Sequence, residues 1–120
     1  MMSEKSITFD SVLNVCQNQH RRIVLKMLVE EQRSLTLDEL TKAILKYNHH
    51  TPPTEASEDV LKEIRVSLYQ VHLPKLASEG FINYDREQEF VGPAEQLEQG
   101  QSALSTILTA DPSLKTPMKL

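Results

Sequence analysis

Val66-Ser67-Leu68-Tyr69-Gln70-Val71-His72-Leu73-Pro74-Lys75-Leu76-Ala77-Ser78-Glu79-Gly80-Phe81-Ile82-Asn83-Tyr84-Asp85 changes periodicity once, and that change decides the fold. Up to Glu79 the apolar residues recur at intervals of three and four, the spacing that lines one face of an α-helix. Beyond Gly80, Ile82 and Tyr84 alternate with Asn83 and Asp85, the two-residue period of a half-buried strand. Gly80 stands at the join, where the lack of a Cβ permits the left-handed backbone that ends many helices. Pro74 lies inside the helical pattern without an N–H to donate, so a kink or break is expected near Val71 to Leu73. A second strand at Glu89 to Val91 would close a small hairpin across Arg86, Glu87 and Gln88.

Upstream, Ser57 is placed to cap the helix over 57–73, with Leu61, Ile64, Leu68 and Val71 on its core face and Leu76 resuming that stripe past the proline. Asn48, His49, His50, Thr51, Pro52 and Pro53 form a loop. Before it, Thr36 and Glu39 have the spacing of a capping box, so a helix should start at Leu37, bury Leu40, Ile44 and Leu45, and end near Tyr47. Leu35 fits a very short strand. Asn18 caps another helix that turns Ile23, Val24, Met27 and Leu28 inward and leaves Arg21, Arg22, Lys26 and Glu30 outside. Thr8 or Asp10 begins a first helix whose apolar positions are Phe9, Leu13 and Cys16.

Downstream, Gly92 and Pro93 separate the hairpin from a last helical segment, 93–111, with Glu95 near its positive end. Gly100 interrupts that segment and Asp111-Pro112 stops it, leaving 112–120 as a flexible tail. The domain proper is then 8–92. Its core is already served by Leu13, Ile23, Leu28, Leu40, Ile44, Leu68 and Leu76, so Leu97, Leu104, Ile107 and Leu108 have no evident place in it. They are expected to form a homodimer interface, with the first helix as a candidate partner.

A chain of 120 residues holds one domain of ordinary size with an added helix or tail. Cys16 is the single cysteine and cannot bridge internally, which fits a reducing, cytoplasmic setting. No apolar run approaches bilayer-spanning length, and Glu4 and Lys5 precede no hydrophobic signal core. There is no glycine-rich phosphate loop, no nucleophile elbow and no catalytic pair of acids, so an enzyme is not expected. His49 and His50 do not combine with Cys16, His20 or His72 at a zinc-finger spacing, and no metal, cofactor or small-molecule effector is implied.

The element order reads as a mainly α fold with a small β-hairpin, a winged helix-turn-helix with a C-terminal helix. In such a fold the helix over 57–73 would read the major groove of double-stranded DNA, and the hairpin would be the wing. Lys62, Arg65, Ser67, Tyr69 and Gln70 point away from the core stripe. Arg65 has the fork for a guanine edge, Gln70 the amide for adenine, and Lys62 the charge for a phosphate. Arg86 at the hairpin tip can reach a minor groove or a phosphate, and Arg21 and Arg22 either touch the DNA backbone or anchor the wing through Asp85 or Glu89. The net charge of −4 weighs against a purely electrostatic binder, and Ser57 to Glu79 carries three cations against four carboxylates. The alternative is a winged helix used for protein–protein association.

Four stretches, Asn18-Gln19-His20-Arg21-Arg22-Ile23-Val24-Leu25, Leu37-Asp38-Glu39-Leu40, Val66 to Leu76, and Gly80 to Asp85, together resemble the small winged-helix domains abundant in halophilic archaea. The resemblance spans Ser11 to Val91, and its specific part is Ser-Leu-Tyr with His-Leu-Pro-Lys-Leu. It implies a winged-helix fold and a role in transcription regulation.

Overall fold

Local side-chain chemistry starts the first four α-helices in the computed structural model, which describes residues 6–49 and 52–115. The Thr8 and Thr36 hydroxyls accept from the N–H groups of Ser11 and Glu39, and the Ser11 and Glu39 side chains accept from the Thr8 and Thr36 N–H groups in return. These two capping boxes open α1 (Phe9–Val15) and α3 (Leu37–Ile44). Asn18 caps α2 (Gln19–Glu31) by accepting from His20, and Ser57 caps α4 (Glu58–Ser67) by accepting from Val60. Strand β1 (Leu35–Thr36) lies between α2 and α3, and a π-helical turn, Leu45–His49, extends α3. His50 and Thr51 fall outside the described residues, as does the His49 side chain, so the expectations for that histidine pair are not addressed.

The break expected from Pro74 takes the form of a π-helical turn, Leu68–His72, between α4 and α5 (Leu73–Ser78). There the Leu73 N–H reaches back five residues to the Leu68 carbonyl. One extra residue in the turn widens the helix where a pyrrolidine ring would otherwise meet the carbonyl four residues before it. The extra residue also rotates everything beyond it. Val71, expected in the core stripe, is therefore turned out and 53 % exposed, while His72 and Leu73 take the inward positions.

Helix α5 closes in a Schellman motif: Gly80 donates to the Ala77 carbonyl and Phe81 to the Leu76 carbonyl, with Gly80 at φ 88° and Leu76 and Phe81 both buried. The chain then forms β2 (Ile82–Asp85) and β3 (Phe90–Pro93), paired antiparallel from Ile82 opposite Pro93 to Asp85 opposite Phe90. β3 also pairs with β1, Leu35 opposite Val91, giving a three-stranded antiparallel sheet in the order β1-β3-β2. Gly92 and Pro93, expected to mark a boundary, are thus part of the second strand. A Cβ on Gly92 would sit 2.9 Å from the Ser34 hydroxyl oxygen, the tip of an exposed side chain just before β1 that can turn aside.

The C-terminal part departs furthest from expectation. A 3-10 helix, Glu95–Gly100, is followed by α6 (Gln101–Ala110) and a last 3-10 turn, Pro112–Leu114. Leu97, Leu104 and Leu114 belong to the same buried cluster as Ile23, Leu28, Leu40, Leu68 and Phe81, and Ile107 and Leu108 pack against it partly buried. Leu97 and Leu104 are therefore core residues of this chain and not interface residues, and Leu114 is anchored where a tail was expected from 112 onward. Residues 116–120 of that expected tail lie outside the described part. The cause is a contact that sequence periodicity cannot reveal: Gly100 has no side chain, so Ile7 and Val12 press directly on it. Helix α1 accordingly buries Val12, Val15 and Cys16, while Phe9 and Leu13 face outward.

Among the described residues, no helix is long and apolar enough to cross a membrane.

Candidate functional site

The π-helical turn after α4 meets the β2–β3 hairpin through aromatic side chains, and this junction brings two of the expected site residues, Tyr69 and Arg86, together. Tyr69, in the π-helical turn after α4, meets Tyr84 of β2 edge to face with centroids 6.4 Å apart. The Arg86 guanidinium lies over the Tyr69 ring, 4.5 Å from its centroid. Burial pushes the Tyr84 hydroxyl pKa up, while the nearby Arg86 charge opposes that rise. The hairpin tip is ordered from within: Asp85 Oδ1 accepts from the Glu87 and Gln88 N–H groups at 3.1 Å each, and Glu89 takes a left-handed φ of 60°. Tyr69 thus supports Arg86 and is itself half-buried, and its outward face is smaller than the sequence led one to expect. Tyr84 was not among the expected site residues. Its only sequence signal is its place two positions before Arg86 on an alternating strand.

Along α4, Lys62 is exposed and has no ion-pair partner among the described residues, and Gln70 is exposed beyond it. Ser67 is half-buried. Arg65 Nη2 lies 3.0 Å from Asp38 Oδ1 on α3, and Asp38 also holds Lys42 Nζ at 3.0 Å through its other oxygen. Asp38 is the second residue that sequence reasoning missed, because a partner 27 positions away leaves no local pattern. Val66 lies between these polar groups and is 41 % exposed.

Arg21 and Arg22 are not at this face. Arg21 Nε donates to the Val15 carbonyl at 2.8 Å, and Nη1 lies 3.3 Å from His72 Nδ1. A guanidinium can only donate, so Nδ1 accepts and the ring proton belongs on Nε2. Burial lowers the Arg21 pKa. It also lowers that of His72 to about 4, helped by the charges of His20 and Arg21. His20 meets His72 edge to face at 5.5 Å, so this polar cluster lies at the packing interface of α2 and the π-helical turn. Arg22 pairs with Asp111 at 2.8 Å and donates to the Cys16 carbonyl. Neither arginine pairs with Asp85 or Glu89; both hold the chain's own segments together. Cys16 beside them is buried, and burial pushes its thiol pKa up to about 11 against the opposing charges of Arg22 and Arg21.

Among the described residues, no group of three or more His, Cys, Asp or Glu side chains is arranged to hold a metal ion. Along α4, the turn after it and the hairpin tip lie one exposed amine, a guanidinium held by a carboxylate, an exposed amide, and a guanidinium laid on an aromatic ring. No curated protein and no solved structure matches the chain. A family model described as a domain of unknown function (DUF7344) matches residues 13–92, which run from the end of α1 to β3 and include the whole of that junction. The chain belongs to this DUF7344 family.

Proposed function

We propose that this chain is a winged helix-turn-helix protein that binds double-stranded DNA sequence-specifically and regulates transcription, with α4 as the helix that enters the major groove. The observation that carries the reading is the topology: a helix, a short strand, two further helices and a hairpin, with the first strand pairing to the last in the order β1-β3-β2. In this reading α3 and α4 are the helix-turn-helix pair and the β2–β3 hairpin is the wing, and the contacts of Tyr69 with Tyr84 and Arg86 support it by tying the hairpin to the turn after α4. In this reading Lys62 and Arg86 contact phosphate, Arg65 and Gln70 reach base edges, and Tyr69 positions Arg86. Arg21 and Arg22 have no part in it.

The test begins with a duplex selected from a random pool and compares Arg65→Ala with Lys62→Ala. Arg65→Ala should cost about 1–3 kcal/mol on the selected duplex and little on an unrelated one. Lys62→Ala should weaken both alike and make the salt dependence shallower. Failure to bind any duplex at low salt would refute the proposal.

One observation favours a second reading, a winged-helix module for protein association: Val66, Val71 and Phe90 are all substantially exposed on or near this face. If DNA does not bind, Val66→Glu disrupting a protein complex would support that reading.

A further inference from the structure

Helix α4 exposes five of its residues, Glu58, Asp59, Lys62, Glu63 and Val66. Val66 is the one among them with no polar side-chain atom, and it is 41 % exposed. Lys62 and Gln70 stand four positions before and after it and are exposed as well, so an amine, an isopropyl group and an amide follow one another along one side of the helix and the turn after it. Arg65 precedes Val66, with its guanidinium 3.0 Å from Asp38. The other exposed apolar residues near this face, Val71 and Phe90, lie off α4, in the π-helical turn and in β3.

A valine left facing water in the middle of a polar stripe gains free energy by covering an apolar group and gains none from a phosphate. The edges that base pairs present in the major groove are hydrogen-bond donors and acceptors with a single apolar exception, the methyl group on C5 of thymine. A cytosine methylated at C5 carries the same group at the same place. The neighbours of Val66 do not compete for it: the Lys62 amine seeks phosphate, while a carboxylate such as Glu63 is repelled by phosphate and finds at a base edge only the cytosine amine. Gln70 adds a constraint, because the adenine it suits is paired with a thymine. One A·T pair, or two neighbouring pairs, then serves both side chains.

We infer that Val66 is a specificity-determining residue that packs on the C5-methyl group of a pyrimidine in the major groove. The inference rests on the proposal that α4 enters that groove. Within it, Arg65, Val66 and Gln70 read a guanine edge, a pyrimidine methyl and an adenine edge, and Val66 belongs to the DNA surface rather than to a protein interface.

The test uses the full chain and the duplex selected from a random pool. Replacing the thymines of that duplex one at a time by deoxyuridine removes a methyl group and leaves base pairing intact. A second set of duplexes carries a methyl group on C5 of one cytosine at a time. Loss of affinity at a position of the first set assigns thymine, and gain at a position of the second assigns 5-methylcytosine. Either change should be about threefold to fivefold, the factor for burying one methyl-sized group, and should vanish in Val66→Ala. That variant should keep the urea midpoint of the free chain, since Val66 lies outside the buried cluster. A duplex that is bound sequence-specifically but responds in neither set, or responds equally with Val66→Ala, overturns the inference and leaves the DNA proposal standing. Failure to bind any duplex overturns both and returns Val66 to the protein-association reading.

Discussion

Asp111→Ala should be among the most damaging single changes at a position that is not apolar. Asp111 Oδ2 accepts from Arg22 Nε at 2.8 Å with the two side chains only 13 % and 22 % exposed, so the pair is largely shielded from solvent. Its other oxygen accepts from the Ser113 N–H and hydroxyl at 2.9 and 2.7 Å, and Gln19 Nε2 donates to that hydroxyl from α2. The carboxylate therefore ties the last 3-10 turn to α2 and holds Leu114 in the core. Removing it forfeits one charge-assisted hydrogen bond, about 1.5–3 kcal/mol, and one cap, about 1 kcal/mol. A total of about 3 kcal/mol corresponds to a fall in Tm of about 12 °C, at about 4 °C per kcal/mol for a domain of this size. Burial raises the Asp111 pKa, but the bonds from Ser113 and Arg22 outweigh it and leave the carboxyl below its ordinary value. Its contribution is thus complete above the unfolded pKa of about 4 and is lost as pH falls through the folded one. Urea unfolding followed by circular dichroism at neutral pH, with Arg22→Ala and the double variant completing a cycle, reads the effect. The pair should couple by about 1–2 kcal/mol. A loss below about 0.5 kcal/mol for Asp111→Ala, the level of an ordinary surface change, would refute the claim that this carboxylate anchors the C-terminal segment.

Gly100→Ala should destabilise the chain by about 1–3 kcal/mol, because its new Cβ would lie 2.5 Å from Ile7 Cγ2 and 3.0 Å from Val12 Cγ2; an unchanged urea midpoint would mean that α1 shifts aside freely. His72 titrates at about 4 when folded and near 6.5 when unfolded, so unfolding takes up a proton between those values and stability falls as pH drops through that window. Urea midpoints measured from pH 7 to 5, above most carboxylate titrations, should decline, and a flat series would show that His72 is not held neutral by its burial.

The parts of the fold legible in the sequence were those decided within a few residues. Thr36 with Glu39, Asn18, Ser57 and Gly80 each act on backbone groups two or three positions away, and each does in the structure what its spacing implied. Pro74 announced a break but not its kind. The choice of a π-helical turn moved the buried stripe from Val71 to His72 and Leu73, which no fixed period of three and four can anticipate. The C-terminal segment was misjudged because its apolar face and the space it fills are both distant in sequence: Gly100 reads as a helix interruption until Ile7 and Val12 are seen against it. The site divides the same way. That Lys62 and Gln70 face outward follows from helical phase alone, whereas the pairing of Arg65 with Asp38 and the internal roles of Arg21 and Arg22 depend on which helices touch.

Those pairings resolve the apparent conflict between an acidic chain and a DNA-binding proposal. Arg22, Lys26, Arg33, Lys42, Arg65 and Lys75 each lie against a carboxylate of the same chain. On the face of α4 and the hairpin this leaves Lys62 and Arg86 as cations without a carboxylate partner among the described residues. Engaging a base would oblige Arg65 to leave Asp38, but that pair is about half exposed on both sides, and exposed pairs are worth about 0–1 kcal/mol. A bidentate contact to guanine supplies about 1–3 kcal/mol of discrimination, so the exchange is favourable on a matching site and nearly neutral elsewhere. Phosphate attraction, by contrast, is confined to about two contacts per chain, those of Lys62 and Arg86, which sets the slope of log affinity against log salt near −2 per chain. A regulator built this way would bind unrelated DNA weakly and depend on base edges for most of its selectivity. A slope steeper than about −6 per chain would require cations beyond this face, and the assignment of α4 and the hairpin as the whole DNA surface would then be wrong.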